Sequence, residues 1–242
     1  MSSPYYVSPE QIIQDKRDFA QRGVEQAREV IALECKNGIV MVAENPLTTV
    51  FKISEVYDRI ALAATGLSPE YEALRAYGIE QAEILGFTYN REDVTAKWLT
   101  RVYSQRIGAI FREWDAKPLE IELLVCEVRG DSSTNSRIYH LSFDGTFGEE
   151  AQYAVIGGRA HSIFEILEQE HEVGQSVEQA IRLGVKAFET IEDEIDEENS
   201  EEAPYEIAAD TIEVALLDEE QGRRRFRRIL PEELHKILAH GS

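Results

Sequence analysis

The sequence predicts an α+β chain folded as a four-layer αββα sandwich, with two packed sheets and helices on both outer faces. Three observations carry this. The apolar patterns come in blocks, strands then helices then strands then helices, without the strict βαβ alternation of a parallel sheet. Two apolar runs are joined by Lys36-Asn37-Gly38, and Asn-Gly is the pair a tight hairpin turn prefers. The long helical segments each carry an apolar face broad enough to need a sheet beneath it. At 242 residues and 43% hydrophobic composition the chain can bury one large core, and nothing in it demands two.

Taken in order, Ser8 can cap a helix with Pro9 at its first position and Gln11 at the capping-box place. Its apolar stripe is Ile12, Phe19, Ala20, Val24 and Ala27. Strands are expected at about 29–35, 39–44, 49–53 and 59–65. Ser68-Pro69 opens a second helix, which carries Leu74, Tyr77, Gln81 or Ala82, and Leu85 at helical spacing and ends at Gly86. A third, from about Asp93 to Trp114, has an apolar face that includes Trp98, Leu99, Ile107, Phe111 and Trp114, core material rather than a cofactor box. Strands return at about 119–129, 137–142 and 152–157, with turns at Asp131-Ser132-Ser133 and Asp144-Gly145. Helices at about 159–171 and 175–194 follow, then a strand pair at about 207–217 and 223–230 joined by Glu219-Glu220-Gln221-Gly222, and Pro231 opens a terminal helix. No internal repeat is visible.

Forty-six acidic against 25 basic residues give a net charge of −21, which repels nucleic-acid phosphates and anionic membranes, so neither is expected as a partner. The chain has no run of about 18 apolar residues, and MSSPYYVSPEQ lacks the basic and apolar regions of a signal peptide. A cytoplasmic protein is expected. Eight of the eleven residues from Glu192 to Glu202 are acidic, which reads as a solvated surface loop over about 192–204. Arg223, Arg224, Arg225, Arg227 and Arg228 flank Phe226 and read as a strand whose arginines meet the abundant carboxylates.

Enzyme motifs are scarce. There is no GxSxG, Walker loop, HExxH or zinc-ligand spacing, so no cofactor or metal is expected. Cys35 and Cys126 sit in apolar strand patterns and read as buried small hydrophobes. Gly157-Gly158 ahead of a helix reads as a tight strand-to-helix turn rather than an anion site, and His140 and His161 as packed or surface histidines.

The stretches VIALECKNGIVMVAENP and KISEVYDRIALAATGL, the Ser8-Pro9 helix ahead of them, and AKPLEIELLVCEV at 116–128 together closely resemble the α-type subunits of the 20S proteasome in their actinobacterial form. The resemblance spans nearly the whole chain. It implies an N-terminal nucleophile hydrolase-like fold without catalysis, formed by a single domain over 9–242 behind a gate segment over 1–8. It implies a seven-membered ring of this chain stacked on proteasome β-type subunits, with unfolded protein substrates passing through. Ser2, Ser3, Pro4, Tyr5, Tyr6, Val7, Ser8 and Pro9 fall at the gate of such a ring. Lys52, and with it Leu67 and Ala27, falls at the pocket that receives C-terminal tails of ATPase or ATP-independent activators. Two departures stand out: the acidic 192–202 segment is longer and more charged than the family pattern, and Ala27 replaces the glycine of archaeal-type relatives.

Aligned on the first hairpin, Arg28 falls where β-type subunits begin with their threonine nucleophile, Glu44 at their orienting acid and Lys52 at their catalytic lysine. A lysine cannot activate an absent nucleophile. The first threonine is Thr48, and a maturation cut at Gly145-Thr146 would discard the first sheet. The alternative on the same fold is an active threonine peptidase, either a β-type subunit or a simpler self-compartmentalising protease, and the missing threonine argues against it. Taken alone, Lys52 at the end of a strand would be an ordinary surface charge. The resemblance is what gives it a role.

Overall fold

In the computed structural model, residues 8–47, 49–128, 136–198 and 209–239 are described. Helix α1 (Pro9–Glu25) begins as the sequence indicates: Ser8 Oγ accepts from the Gln11 amide at 3.2 Å and Pro9 stands in the first turn. Only half of the capping box forms, because the Gln11 side chain turns forward to Asp15 at 2.7 Å. Ala20 and Val24 are the buried positions of α1, which lies against the strands Ile60–Gly66 and Ile121–Glu127, while Phe19 is 40% exposed.

The first hairpin is β1 (Val30–Cys35) and β2 (Gly38–Glu44), paired from Val30↔Ala43 to Cys35↔Gly38. Gly38 has φ +147°, and a Cβ there would lie 1.9 Å from the Leu217 carbonyl, so the turn and the neighbouring strand both require glycine. The third strand, β3 (Ile53–Tyr57), starts four residues later than the 49–53 expected. Asn45 is responsible: its side chain accepts from Leu47 N at 3.2 Å and donates to the Val50 carbonyl at 2.8 Å, holding 45–50 as a loop despite the β-propensity of Val50 and Phe51.

After β4 (Ile60–Gly66), helix α2 (Ser68–Thr88) runs past Gly86. That glycine is no terminator. A Cβ at Gly86 would sit 2.0 Å from the Tyr57 hydroxyl, so close packing rather than a helix end requires it. Helix α3 (Ala96–Arg112) follows a 3₁₀ turn at Arg91–Asp93 and is capped by Thr95, and Trp114, expected in its apolar face, lies beyond its end and is 70% exposed. The second strand block is β5 (Ile121–Glu127), β6 (Arg137–Leu141), β7 (Phe147–Glu150) and β8 (Tyr153–Ile156). The Asp144-Gly145 turn is present, with Gly145 at φ +87°, whereas the expected Asp131-Ser132-Ser133 turn lies outside the described residues.

Helices α4 (Ala160–Glu170) and α5 (Val177–Glu198) come next. Seven residues of the acidic segment, through Glu198, are thus helical rather than loop, and 199–204 fall outside the described residues. Glutamate favours helix, and no Gly or Pro interrupts the chain from Val185 to Ala203. The chain closes with β9 (Ile212–Asp218), β10 (Phe226–Ile229) and α6 (Pro231–Ala239).

The strands form two five-stranded antiparallel sheets, in the orders β10-β9-β2-β1-β8 and β3-β4-β5-β6-β7. Between them lies a core of Val30, Ala32, Met41, Ala63 and Leu124 with their neighbours. The opposite faces pack on helices: Ile31, Leu33 and Val42 against residues of α4 and α5, and Leu62, Leu123 and Val125 against α2 and α3. Period-two alternation along β1 and β4 thus supplies two cores at once, which is what makes four layers.

Gly66 joins β4 to α2 at φ +104°, and a Cβ there would lie 2.0 Å from the Glu120 carbonyl. Gly174 has φ +79° with nothing within 4 Å. Gly66→Ala is expected to cost about 2–4 kcal/mol and Gly174→Ala only about 1 kcal/mol, read from urea unfolding midpoints. Equal losses would mean that the approach of Glu120 carries no energy.

Candidate functional site

The chain leaves α1 through Ala27, Arg28 and Glu29 and enters β1 at the same end of the sandwich as the segment before β3, the end of β4 and the turn before α4. The Arg28 carbonyl is the meeting point: Lys52 Nζ donates to it at 2.6 Å, and so does Thr65 Oγ1 at 2.6 Å. The Arg28 guanidinium pairs with Glu44 at the end of β2, whose side chain is 4% exposed. The structure therefore brings together Arg28, Glu44 and Lys52, the three positions singled out on the first hairpin.

Below them lies a buried ion pair that sequence reasoning missed. Glu29, 2% exposed, accepts from the Arg159 amide and Nε at 2.9 Å each and from its Nη2 at 2.9 Å, and that Nη2 also lies 3.9 Å from Glu44. Burial alone would raise the pKa of Glu29, but the hydrogen bonds and charge of Arg159 outweigh it and hold the carboxyl below its ordinary 4.5. Gly157-Gly158 lets this happen, as a tight turn. Gly157 has φ +117°, Gly158 N donates to the Ala27 carbonyl at 3.1 Å, and a Cβ on Gly158 would fall 2.1 Å from the Glu25 carbonyl.

A second acid, Glu213 of β9, fixes the other flank. It accepts from the backbone amides of Lys52 at 2.9 Å and Ile53 at 3.0 Å, from Asn45 Nδ2 at 2.8 Å, and from Arg228. Lys52 accordingly stands in a bend just before β3, not at a strand end, and is half-buried. Desolvation lowers its pKa to about 8 against the opposing pull of Glu29 and Glu213, with Arg28 adding to the decrease. Leu67 is the N-cap of α2 and 44% exposed, and Ala27 is half-buried beside Arg28. Ser8 and Pro9 hold the start of α1, and residues 2–7 of the expected gate lie outside the described residues. The missed acids had one signal in common: Glu29 and Glu213, like the aligned Glu44, are single carboxylates set in or against apolar strand runs.

The arrangement contains a lysine but no nucleophile. Lys52 faces a peptide carbonyl, and the chain runs on through Ala27, so no free α-amine stands at Arg28 to act as nucleophile and base. The Thr65 hydroxyl is buried and donates to the same carbonyl. Among the described residues no group of three or more His, Cys, Asp or Glu could hold a metal ion, and no helix is long and apolar enough to cross a membrane. Both free cysteines are buried, which pushes the Cys35 thiol up to about 11 and the Cys126 thiol up to about 12.

A four-layer αββα sandwich with the nucleophile position filled by an internal arginine defines a noncatalytic, N-terminal nucleophile hydrolase-like protein. A family profile described as Proteasome subunit matches residues 24–209. Relatives named Proteasome subunit alpha are 41% identical in Streptomyces coelicolor (100% of this chain, 92% of the relative), 40% in Acidothermus cellulolyticus (98% of each) and 39% in Thermomonospora curvata (100% of each). The chain belongs to the proteasome subunit family, as one of its noncatalytic α-type members.

Arg159→Leu strands the Glu29 charge in the interior and is expected to cost about 3–5 kcal/mol at neutral pH, measured by denaturant unfolding. Because the folded pKa of Glu29 is depressed, its contribution is complete above 4.5 and lost as pH falls through the lower folded value. The gap between wild type and variant should therefore close in acid. A gap that persists there would assign the loss to packing instead.

Proposed function

We propose that this chain is the outer-ring subunit of a proteasome core particle. Copies of it form a seven-membered ring stacked on β-type subunits that carry the threonine nucleophile, and unfolded protein substrates enter through a pore gated by residues 1–8. The observation that carries this reading is the internal Arg28 where a catalytic chain of this fold would begin. A sandwich that keeps the family architecture without the nucleophile has assembly and access left as its tasks. Free, buried cysteines suit a reducing compartment such as the cytoplasm.

Lys52 is the proposed docking point for the C-terminal carboxylate of an activator. An ammonium group has three donors; one is on the Arg28 carbonyl, which leaves two for a carboxylate. Leu67, 44% exposed at the N-cap of α2, is the proposed apolar surface for the tail's side chains, and Ala27 precedes Arg28 in the chain. Several tails on one ring bind with avidity, so a modest loss per site is multiplied.

Co-expression with the β-type subunit tests the assembly. The barrel should hydrolyse peptides, threonine-directed inhibitors should label only the β chain, and deletion of residues 2–7 should raise the rate. The deletion stops short of Ser8 because losing that cap would cost about 1 kcal/mol in α1. Labelling of this chain would establish the active-peptidase alternative.

Lys52→Ala should assemble and keep basal peptidase activity yet lose response to a tail-docking activator. With the pKa near 8, activator affinity of the wild type should fall as pH rises from 7 to 9, and Lys52→Arg, charged throughout, should lack that step. Wild-type affinity in Lys52→Ala would return Lys52 to an ordinary surface lysine.

A further inference from the structure

Five arginines crowd residues 223–228, and four of them find carboxylates as the sequence leads one to expect. Arg223 pairs with Asp58 at 3.2 Å, Arg224 with Glu55 at 2.6 Å, Arg227 with Glu233 at 2.8 Å, and Arg228 with Glu213. Arg225 is the exception. Its amide donates to the Asp58 carbonyl at 2.9 Å, but its guanidinium has no carboxylate among the described residues, and Nη1 is buried without a hydrogen-bond partner.

Arg225 lines a pocket of about 220 Å³. Its walls are the β3–β4 turn with Asp58 and Arg59, the 3₁₀ turn with Arg91 and Glu92, and the β9–β10 connection with Arg223 and Arg225. The charge of Arg59 is spent: Nε is on Glu127 at 2.8 Å, Nη1 on Glu92 at 2.8 Å, and Nη2 on the Glu92 carbonyl at 3.0 Å. The remaining three arginines share one acid. Asp58 takes Arg91 through Nε at 3.0 Å and Nη2 at 2.7 Å, and takes Arg223 besides. Burial would raise the Asp58 pKa, but these two arginines outweigh it and hold the carboxyl below its ordinary value. With Glu92 and Glu127 both on Arg59 and Asp58 shared by Arg91 and Arg223, four arginines meet three carboxylates, which leaves one net positive charge at the pocket in a chain whose net charge is −21.

A half-buried guanidinium without an anion is costly, and its fork of donors matches the oxygens of an oxyanion. The unmatched positive charge favours an anion, the several guanidinium donors can be shared among the oxygens of one small oxyanion, and the pocket exceeds the ~30 Å³ of a water several times over. We propose that this pocket binds a small oxyanion of the phosphate class between Arg91, Arg223 and Arg225. A nucleic-acid backbone is the wrong occupant for so acidic a chain.

The test is a calorimetric titration of the full chain with inorganic phosphate, chloride being adjusted to hold ionic strength constant, alongside thermal unfolding. One saturable site is expected, with an unfolding midpoint that climbs with the logarithm of phosphate above its Kd. Arg225→Gln should weaken binding by about tenfold or more. Arg223→Gln, at a mostly exposed side chain, should weaken it as well and keeps the test alive if the first variant does not fold. Lys186→Gln, which removes a pair with Glu170 between α5 and α4, should leave it unchanged. No saturable binding by the wild type, or undiminished binding in Arg223→Gln or a folded Arg225→Gln, would overturn the proposal.

Discussion

The buried Glu29–Arg159 pair is the constraint on which this end of the molecule depends. A carboxylate at 2% exposure is tolerable only where its charge is matched and its oxygens are bonded, and Arg159 does both with three donors. Satisfying them pulls the Gly157-Gly158 turn so close that neither position has room for a Cβ, with Glu29 Cα at 2.8 Å from one and the Glu25 carbonyl at 2.1 Å from the other. Helix α1, strand β8 and helix α4 are thereby fixed to the entrance of β1. With Glu29 fixed, the preceding peptide has little freedom, and its carbonyl is presented to Lys52 and Thr65.

Glu213 performs the complementary task across the sandwich. It belongs to β9 of one sheet but accepts the amides of Lys52 and Ile53, where β3 of the other sheet begins. Backbone bonds to a side chain from the opposite sheet set the position of residue 52 whatever side chain it bears. The docking chemistry proposed for Lys52 is therefore separable from the fold in a way that Glu29 and Glu213 are not, since Glu29 holds the Arg159 amide and guanidinium together and Glu213 holds two backbone amides along with Asn45 and Arg228.

Much of the fold was legible where the signal is local. Ser8-Pro9 and Ser68-Pro69 mark helix starts because caps and proline act within one turn, and Asn37-Gly38 marks its hairpin for the same reason. Errors arose where a distant residue decided. The start of β3 depends on Asn45 and on Glu213, more than 160 residues further along the chain, and Gly86 answers to a tyrosine hydroxyl rather than to a helix end. Strand β7, Phe-Gly-Glu-Glu and mostly exposed, offers no apolar alternation to detect. At the site, Arg28, Glu44 and Lys52 could be aligned by position, but Arg159 could not, because its partner lies 130 residues away and nothing in Gly-Gly-Arg announces a buried acid.

The site keeps a lysine and an acid at the aligned catalytic positions while Arg28 holds that of the nucleophile. In a threonine peptidase of this fold a lysine with a lowered pKa assists proton transfer, which requires a nucleophile within reach. Here the same burial lowers Lys52 to about 8, but its neighbour is a peptide carbonyl, which accepts a hydrogen bond and cannot give up a proton. At pH 7 about nine-tenths of such lysines remain charged. The site holds a half-buried cation already anchored by one bond and partly stripped of water, so the carboxylate proposed to dock there would meet a charge whose desolvation has largely been met by folding. Preorganisation of the kind that serves proton transfer in an enzyme is what the docking proposed for Lys52 would draw on, with Arg28 inside the chain where that enzyme would need its terminus.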